Sequence, residues 1–249
     1  MIDSKSNQRG LSIVAIALLL IFQQFASKVG SLIANCFNYQ TIDEYGIFAY
    51  VSVHHVVQML IAILAIIILT KKYKIDFGFS LGDKKLGRKY LIVFTVSILI
   101  YTLISYGIRY LSNQTIEYDF PLNAKNILGT LGFQLFLSGP SEEILFRALP
   151  IGVLTFLVGS NKLRKFTKLN ISYEIFIAAI LFSIAHIRWT INPFSISMDY
   201  LQLIYCFVLG IAYGKAYEES KSVIYPMIMH SISNVFVVGI GYIFSIIIL

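Results

Sequence analysis

Charge is scarce in this chain. Asp, Glu, Lys and Arg make up 13% of its 249 residues, about half the share in a soluble globular domain. Hydrophobic residues make up 57%, and the mean hydropathy is +0.75. That balance excludes a water-soluble fold and predicts an all-α, polytopic transmembrane helix bundle. At roughly 20 residues per span the length accommodates about 7–8 membrane helices. Cysteine is nearly absent. Cys36 and Cys206 lie in or beside apolar segments, which argues against a disulfide framework or a Cys-rich metal site. Linkers, repeats and low-complexity tracts are missing too, so residues 1–249 read as a single integral-membrane domain.

The net charge of +7 does not imply a nucleic-acid partner, because the basic residues cluster in interhelical loops. With the N-terminus placed in the cytoplasm, the cytoplasmic side holds all but five of the 20 basic residues. The exceptions are Lys28, Arg109, Lys125, Arg147 and Arg188. The positive-inside rule accounts for that bias. It predicts a multi-pass protein of the cell membrane. The frequent Lys, Ile and Asn, typical of an AT-rich bacterial genome, point to a bacterial plasma membrane. Seven apolar stretches read as spans, near 11–36, 47–70, 91–108, 127–158, 173–188, 200–216 and 223–249. The first, which lacks a clean cleavage pattern, reads as a retained span. Ser138-Gly139-Pro140 is expected to kink the fourth. The last is long and contains Gly239 and Gly241, which leaves open whether it is one helix or two. The segment 189–199 reads as an outer loop, with Trp189 in an interfacial belt.

The few polar residues inside these stretches carry the information. Glu142, Glu143 and Arg147 occupy the fourth span, His186 the fifth, His230 and Asn234 the last. Ionisable residues at membrane depth are costly and mark functional sites. Glu143 and Arg147 stand at i,i+4 with the acid first, the favourable order for an intrahelical ion pair. Glu142 is rotated by about 100° from Glu143. It therefore points elsewhere, toward a histidine of another helix, a water or a metal. His230 and Asn234 share one helix face. Counted along their spans at about 1.5 Å per residue, Glu142, His186, His230 and Asn234 could share one layer. His54 and His55, in the second span, read as polar lining or interfacial residues. Gly210 and Gly214 read as helix-packing contacts.

These side chains suit the attack of activated water on a peptide bond. A carboxylate in a water-accessible apolar pocket is a competent general base, and a histidine beside it orients water or shuttles its proton. An imidazole and an amide together donate to a developing oxyanion. The same Glu and His side chains are also zinc ligands. Other hydrolase templates fit worse. His-Glu-x-x-His is missing, Gly139-Pro140-Ser141 is followed by Glu142 where a small residue is wanted, and Ser80-Leu81-Gly82-Asp83 lacks the first glycine of an intramembrane aspartyl motif.

Taken together, the residues resemble the CAAX-protease and bacteriocin-processing (Abi) intramembrane proteases. Glu142, Glu143 and Arg147 match Glu-Glu-x-x-x-Arg; Phe182 and His186 match Phe-x-x-x-His; His230 and Asn234 match His-x-x-x-Asn. The resemblance covers about 127–236. Ala148 departs from it, standing where the family commonly has glycine. What the resemblance implies is proteolysis without a covalent intermediate: Glu142 with His186 activating water, His230 and Asn234 stabilising the oxyanion, Glu143 and Arg147 supporting the site. No cofactor is expected on the metal-independent version. On the metal-dependent one, zinc would be held by Glu142, His186 and His230. The expected partners are a peptide or protein substrate and the lipid bilayer. Peptide processing, peptide signalling or bacteriocin self-immunity would be the setting. The rival readings are a non-catalytic immunity or scaffold protein on the same fold and a small-solute or ion transporter with the Glu pair as a proton relay, which predicts inverted repeats that the sequence does not show.

Overall fold

The computed structural model describes residues 2–158, 170–191 and 193–248. Its helices are α1 (Ile2–Ala34), α2 (Ala49–Tyr73), α3 (Lys84–Leu111), a composite α4, α5 (Tyr173–Ile184), α6 (Tyr200–Ser220) and α7 (Ile224–Ile248). The composite α4 runs through Ala124–Phe133, Gln134–Ser138, Gly139–Glu143, Ile144–Ala148 and Leu149–Val158. Loop polar residues set several helix starts by accepting the first free amides. Asp83 caps α3, Asn123 caps α4, Ser172 caps α5 and Asp199 caps α6. Asp43, 2% exposed, accepts from the backbone amides of Ile47, Phe48 and Ala49 and so anchors the start of α2. The Asp83 of the aspartyl-like run is thus a helix cap.

Among the described residues the helices number seven, and several are apolar as a membrane protein requires, with two departures from expectation. Among the described residues, four helices are long and apolar enough to cross a bilayer by themselves, within Gly10–Ala34, Ala49–Tyr73, Lys84–Leu111 and Ile224–Ile247. The others fall short for different reasons. The 12 residues of α5 extend about 18 Å against a hydrocarbon core of about 30 Å. Helix α4 carries Glu142, Glu143 and Arg147, and the last turns of α6 carry Lys215, Glu218 and Glu219. The second departure is local. Within the expected outer loop 189–199, strands β1 (Arg188–Ile191) and β2 (Phe194–Ser197) pair antiparallel, with Trp189 opposite Ile196. The fold is therefore nearly, not wholly, α-helical. The basic residues Lys162, Arg164, Lys165 and Lys168 lie outside the described residues.

Helix α4 is the centre of the bundle, touching α1, α2, α5, α6 and α7. Every residue from Glu143 to Gly152 is buried. The expected disturbance at Ser138-Gly139-Pro140 takes the form of two wide π-helical turns, Gln134–Ser138 and Ile144–Ala148, on either side of Gly139–Glu143. Proline donates no amide hydrogen bond, and such wide turns are frequent at functional sites. The last span is one helix: α7 continues through Gly239 and Gly241. Gly241 is there for contact, since a Cβ on it would lie 2.5 Å from the Tyr106 hydroxyl. Gly210 and Gly214 also serve packing, bringing α6 against Ala179 and Ile175 of α5.

Candidate active site

Gly139 sets the distance between the two helices that carry most of the site. A Cβ there would meet the Met227 carbonyl oxygen at 2.6 Å and the Ser231 amide nitrogen at 2.9 Å. Both are backbone atoms of α7, so a methyl group can be accommodated only by moving one helix. Gly139→Ala is expected to destabilise the protein by about 1–3 kcal/mol, read as a lower thermal midpoint in detergent. An unchanged midpoint would show that the helices are free to separate here.

Glu142 follows one turn later. Its Oε1 lies 3.1 Å from His55 Nε2 on α2, and its Oε2 lies 3.7 Å from His230 Nε2 on α7. The second distance is beyond hydrogen-bond reach. Glu143 is turned away from Glu142 but meets the other side of the same imidazole. His230 Nδ1 donates to Glu143 Oε1 at 2.7 Å, which leaves Nε2 as the atom directed at Glu142. His230 therefore sits between the two glutamates. Its ring stacks on Tyr213 at 5.1 Å, and Tyr213 in turn donates to Ser233 Oγ at 2.7 Å.

The expected Glu143–Arg147 pair is present. Arg147 Nε is 3.2 Å from Glu143 Oε2, and both side chains are fully buried. Among the described residues, none of the three guanidinium nitrogens makes a hydrogen bond of good geometry. The charge is countered by the carboxylate and by two aromatic faces, Phe182 at 4.0 Å and Tyr213 at 5.2 Å, contacts that attract a desolvated cation. This gives Phe182 a physical role. Its ring supports Arg147, lies 4.9 Å from the His186 ring and 5.9 Å from the His230 ring, and its carbonyl accepts from His186 Nδ1 at 2.9 Å. His186 sits just beyond the end of α5 with Nε2 as its remaining ring nitrogen.

Asn234 is held by two bonds, its Nδ2 donating to Gln134 Oε1 at 2.8 Å and to Ser138 Oγ at 2.9 Å. Both acceptors lie in the first wide turn of α4. To donate to an oxyanion the amide would exchange one of these bonds. Glu142, His186, His230 and Asn234 together line one cavity of about 310 Å³, and His55 lines it too. That volume admits several waters at about 30 Å³ each. Ser141, by contrast, is fully buried and donates to the Ser138 carbonyl; it is not placed as a nucleophile. Among the described residues no three His, Cys, Asp or Glu side chains are grouped to hold a metal ion.

His55 is the site residue that the sequence did not reveal. It read as lining or interfacial, yet it makes the shortest contact to Glu142. Its neighbour His54 points to α1, with Nδ1 3.2 Å from Ser31 Oγ. Adjacent helical residues differ by about 100°, so the facing of one says little about the other. The available signal was the depth of two histidines in an apolar helix, which does not say which one faces inward.

Residues 124–236 match the family described as Type II CAAX prenyl endopeptidase Rce1-like. The match bears out the resemblance drawn from the three motifs and covers nearly the same segment as the predicted core, 127–236. No curated protein and no solved structure matches the chain.

Proposed function

We propose that this chain, Rce1-like over residues 124–236, is an intramembrane endopeptidase that hydrolyses peptide bonds with a water activated by Glu142. The observation that carries the reading is the convergence of Glu142 from α4, His186 from just beyond α5 and His230 from α7 on one cavity inside an apolar bundle. Glu142 Oε2 takes the proton of the attacking water. His186, anchored through Nδ1, offers Nε2 to the same water or to its proton. Asn234 and His230, the latter as the imidazolium that Glu143 supports and so with a hydrogen on Nε2 as well, stabilise the oxygen that gains charge, and the proton is then delivered to the leaving nitrogen. Glu143 orients His230 in the manner of a carboxylate behind a working imidazole, while Arg147 balances Glu143.

The substrate class is a peptide or protein segment, including a prenylated C-terminus, delivered from the bilayer of a cell membrane with the N-terminus of the chain in the cytoplasm. The four long apolar helices and the Rce1-like match support a membrane-embedded protease of CAAX type. All seven described helices would then be membrane-embedded, with α5 packed against α4 and α6. The reading is metal-independent. If zinc takes part, Glu142, His186 and His230 are the side chains to hold it, and it would supply Lewis-acid polarisation.

The test is cleavage of a panel of membrane-delivered peptides by purified protein, wild type beside Glu142→Gln, with and without a strong chelator. Cleavage that needs Glu142 and survives chelation is the expected result. Activity lost on chelation and restored by added zinc would replace the metal-independent reading. Equal cleavage by well-folded Glu142→Gln protein would remove Glu142 from its role.

A further inference from the structure

His55 lies outside all three motifs, 87 residues before Glu142, and both of its ring nitrogens are engaged. Nδ1 is 2.8 Å from the Val51 carbonyl oxygen. A carbonyl only accepts, so Nδ1 carries a hydrogen and donates it. Nε2 is 3.1 Å from Glu142 Oε1, and a bond there requires one hydrogen held between imidazole and carboxyl. The ring is further fixed edge-on against Phe133, with centroids 4.9 Å apart and planes at 76°. Phe133 immediately precedes the wide turn that receives Asn234.

We propose that His55 is a positioning residue for Glu142, holding Oε1 so that Oε2 is the oxygen presented to water and to the scissile bond. The proposal deepens the peptidase reading and rests on it only for the consequence, not for the contact. The two oxygens of Glu142 have different surroundings. Oε1 is occupied by His55, whereas Oε2 faces His230 Nε2 at 3.7 Å and has no hydrogen-bond partner among the described residues. A glutamate side chain in a cavity has freedom about its terminal torsion, and either oxygen could face the substrate. Anchoring one oxygen to a ring that is itself anchored at Nδ1 and at Phe133 removes that freedom before substrate arrives. Preorganisation of this kind acts on the chemical step more than on substrate binding.

A histidine that only fills space makes a different forecast. His55→Phe keeps the ring packing and removes both nitrogens, while His55→Gln places an amide nitrogen near the position of Nε2. On a peptide that the wild type cuts, His55→Phe is expected to lower kcat by about 10²-fold with KM little changed. His55→Gln is expected to recover most of that loss. A folded His55→Phe protein with wild-type kcat, or a His55→Gln protein no better than His55→Phe, overturns the proposal. If His55→Phe does not accumulate, His55→Asn, too short to reach Glu142, is the second loss variant.

A substrate-free readout decides the contact itself. The infrared band of the Glu142 carboxyl group is isolated by subtracting the spectrum of Glu142→Gln from that of the wild type, and again within the His55→Phe or His55→Asn background. The band is expected to shift when His55 is replaced, and to lie nearer its wild-type position in His55→Gln. An unmoved band overturns the positioning role whether or not any peptide is cut. Glu142-independent cleavage would instead bring down the peptidase mechanism and leave the infrared result to stand by itself.

Discussion

Glu142→Gln is expected to reduce peptide cleavage by about 10²–10⁴-fold, the usual contribution of a general base, while the protein accumulates in the membrane and melts like the wild type. The substitution is nearly isosteric and sits at a cavity wall, 17% exposed. The glutamine amide can still bond to His55, so packing is preserved. What disappears is the oxygen that takes a proton. The expected signature is a loss in kcat with KM little altered. Purified variant and wild type compared on the same peptide, with melting curves in the same detergent, give the answer. Two results would defeat the assignment: undiminished cleavage by the variant, or a loss of activity that merely tracks a loss of folded protein.

Arg147→Met should have its largest effect on folding. Arg147 and Glu143 are both fully buried and 3.2 Å apart. Removing one member leaves the other as an uncompensated buried charge, which destabilises by about 3–5 kcal/mol. Loss on that scale approaches the whole stability of a typical domain, so the variant is expected to accumulate poorly and to melt far below the wild type. The double variant Glu143→Gln/Arg147→Met removes both charges and should recover most of the lost stability. Its activity should stay low, because Glu143 also receives His230 Nδ1 at 2.7 Å and the neutral amide holds that ring less firmly. A double variant that melts no better than Arg147→Met would show that Arg147 acts through packing on Phe182 and Tyr213 rather than through charge. In this pair the measured stability separates the structural duty of Glu143 from its duty to the histidine.

Particular residues show how far the chain could be read without its fold. The Glu143–Arg147 pair was legible because both partners lie on one helix, and spacing alone fixes whether they meet. The same holds for His230 and Asn234, whose shared face directs one to Glu143 and the other to Gln134 and Ser138. Gly210 and Gly214 were legible as packing residues because small side chains in membrane helices rarely serve anything else. The assignment of Glu142 away from Glu143 also follows from helical rotation. Its destination did not: three kinds of partner were compatible with the sequence, and the structure supplies His55.

What the sequence left open or hid is equally instructive. Gly239 and Gly241 left one helix or two open in the sequence; tertiary contacts outweigh a weak local propensity, and α7 stays continuous against Tyr106 and Tyr118. The strands β1 and β2 were hidden in a segment with no long alternating pattern. A hairpin of four-residue strands leaves little periodicity to detect. The two wide turns of α4 were visible only as a proline within an apolar run.

By itself the sequence determined that the protein is a membrane-embedded helical bundle. It also determined which polar residues stand at depth and which of them share a helix face. Those properties follow from hydropathy and from the fixed rotation of about 100° per residue, both local. Only the tertiary structure decided that His55 rather than His54 meets Glu142, that His230 lies between two glutamates, and that Asn234 is bound to the first wide turn of α4. Each of those depends on how one helix is turned about its own axis toward another. In an apolar solvent the exposed and buried faces of a helix are almost equally hydrophobic. Composition therefore does not reveal that orientation, and close packing around residues such as Gly139 does.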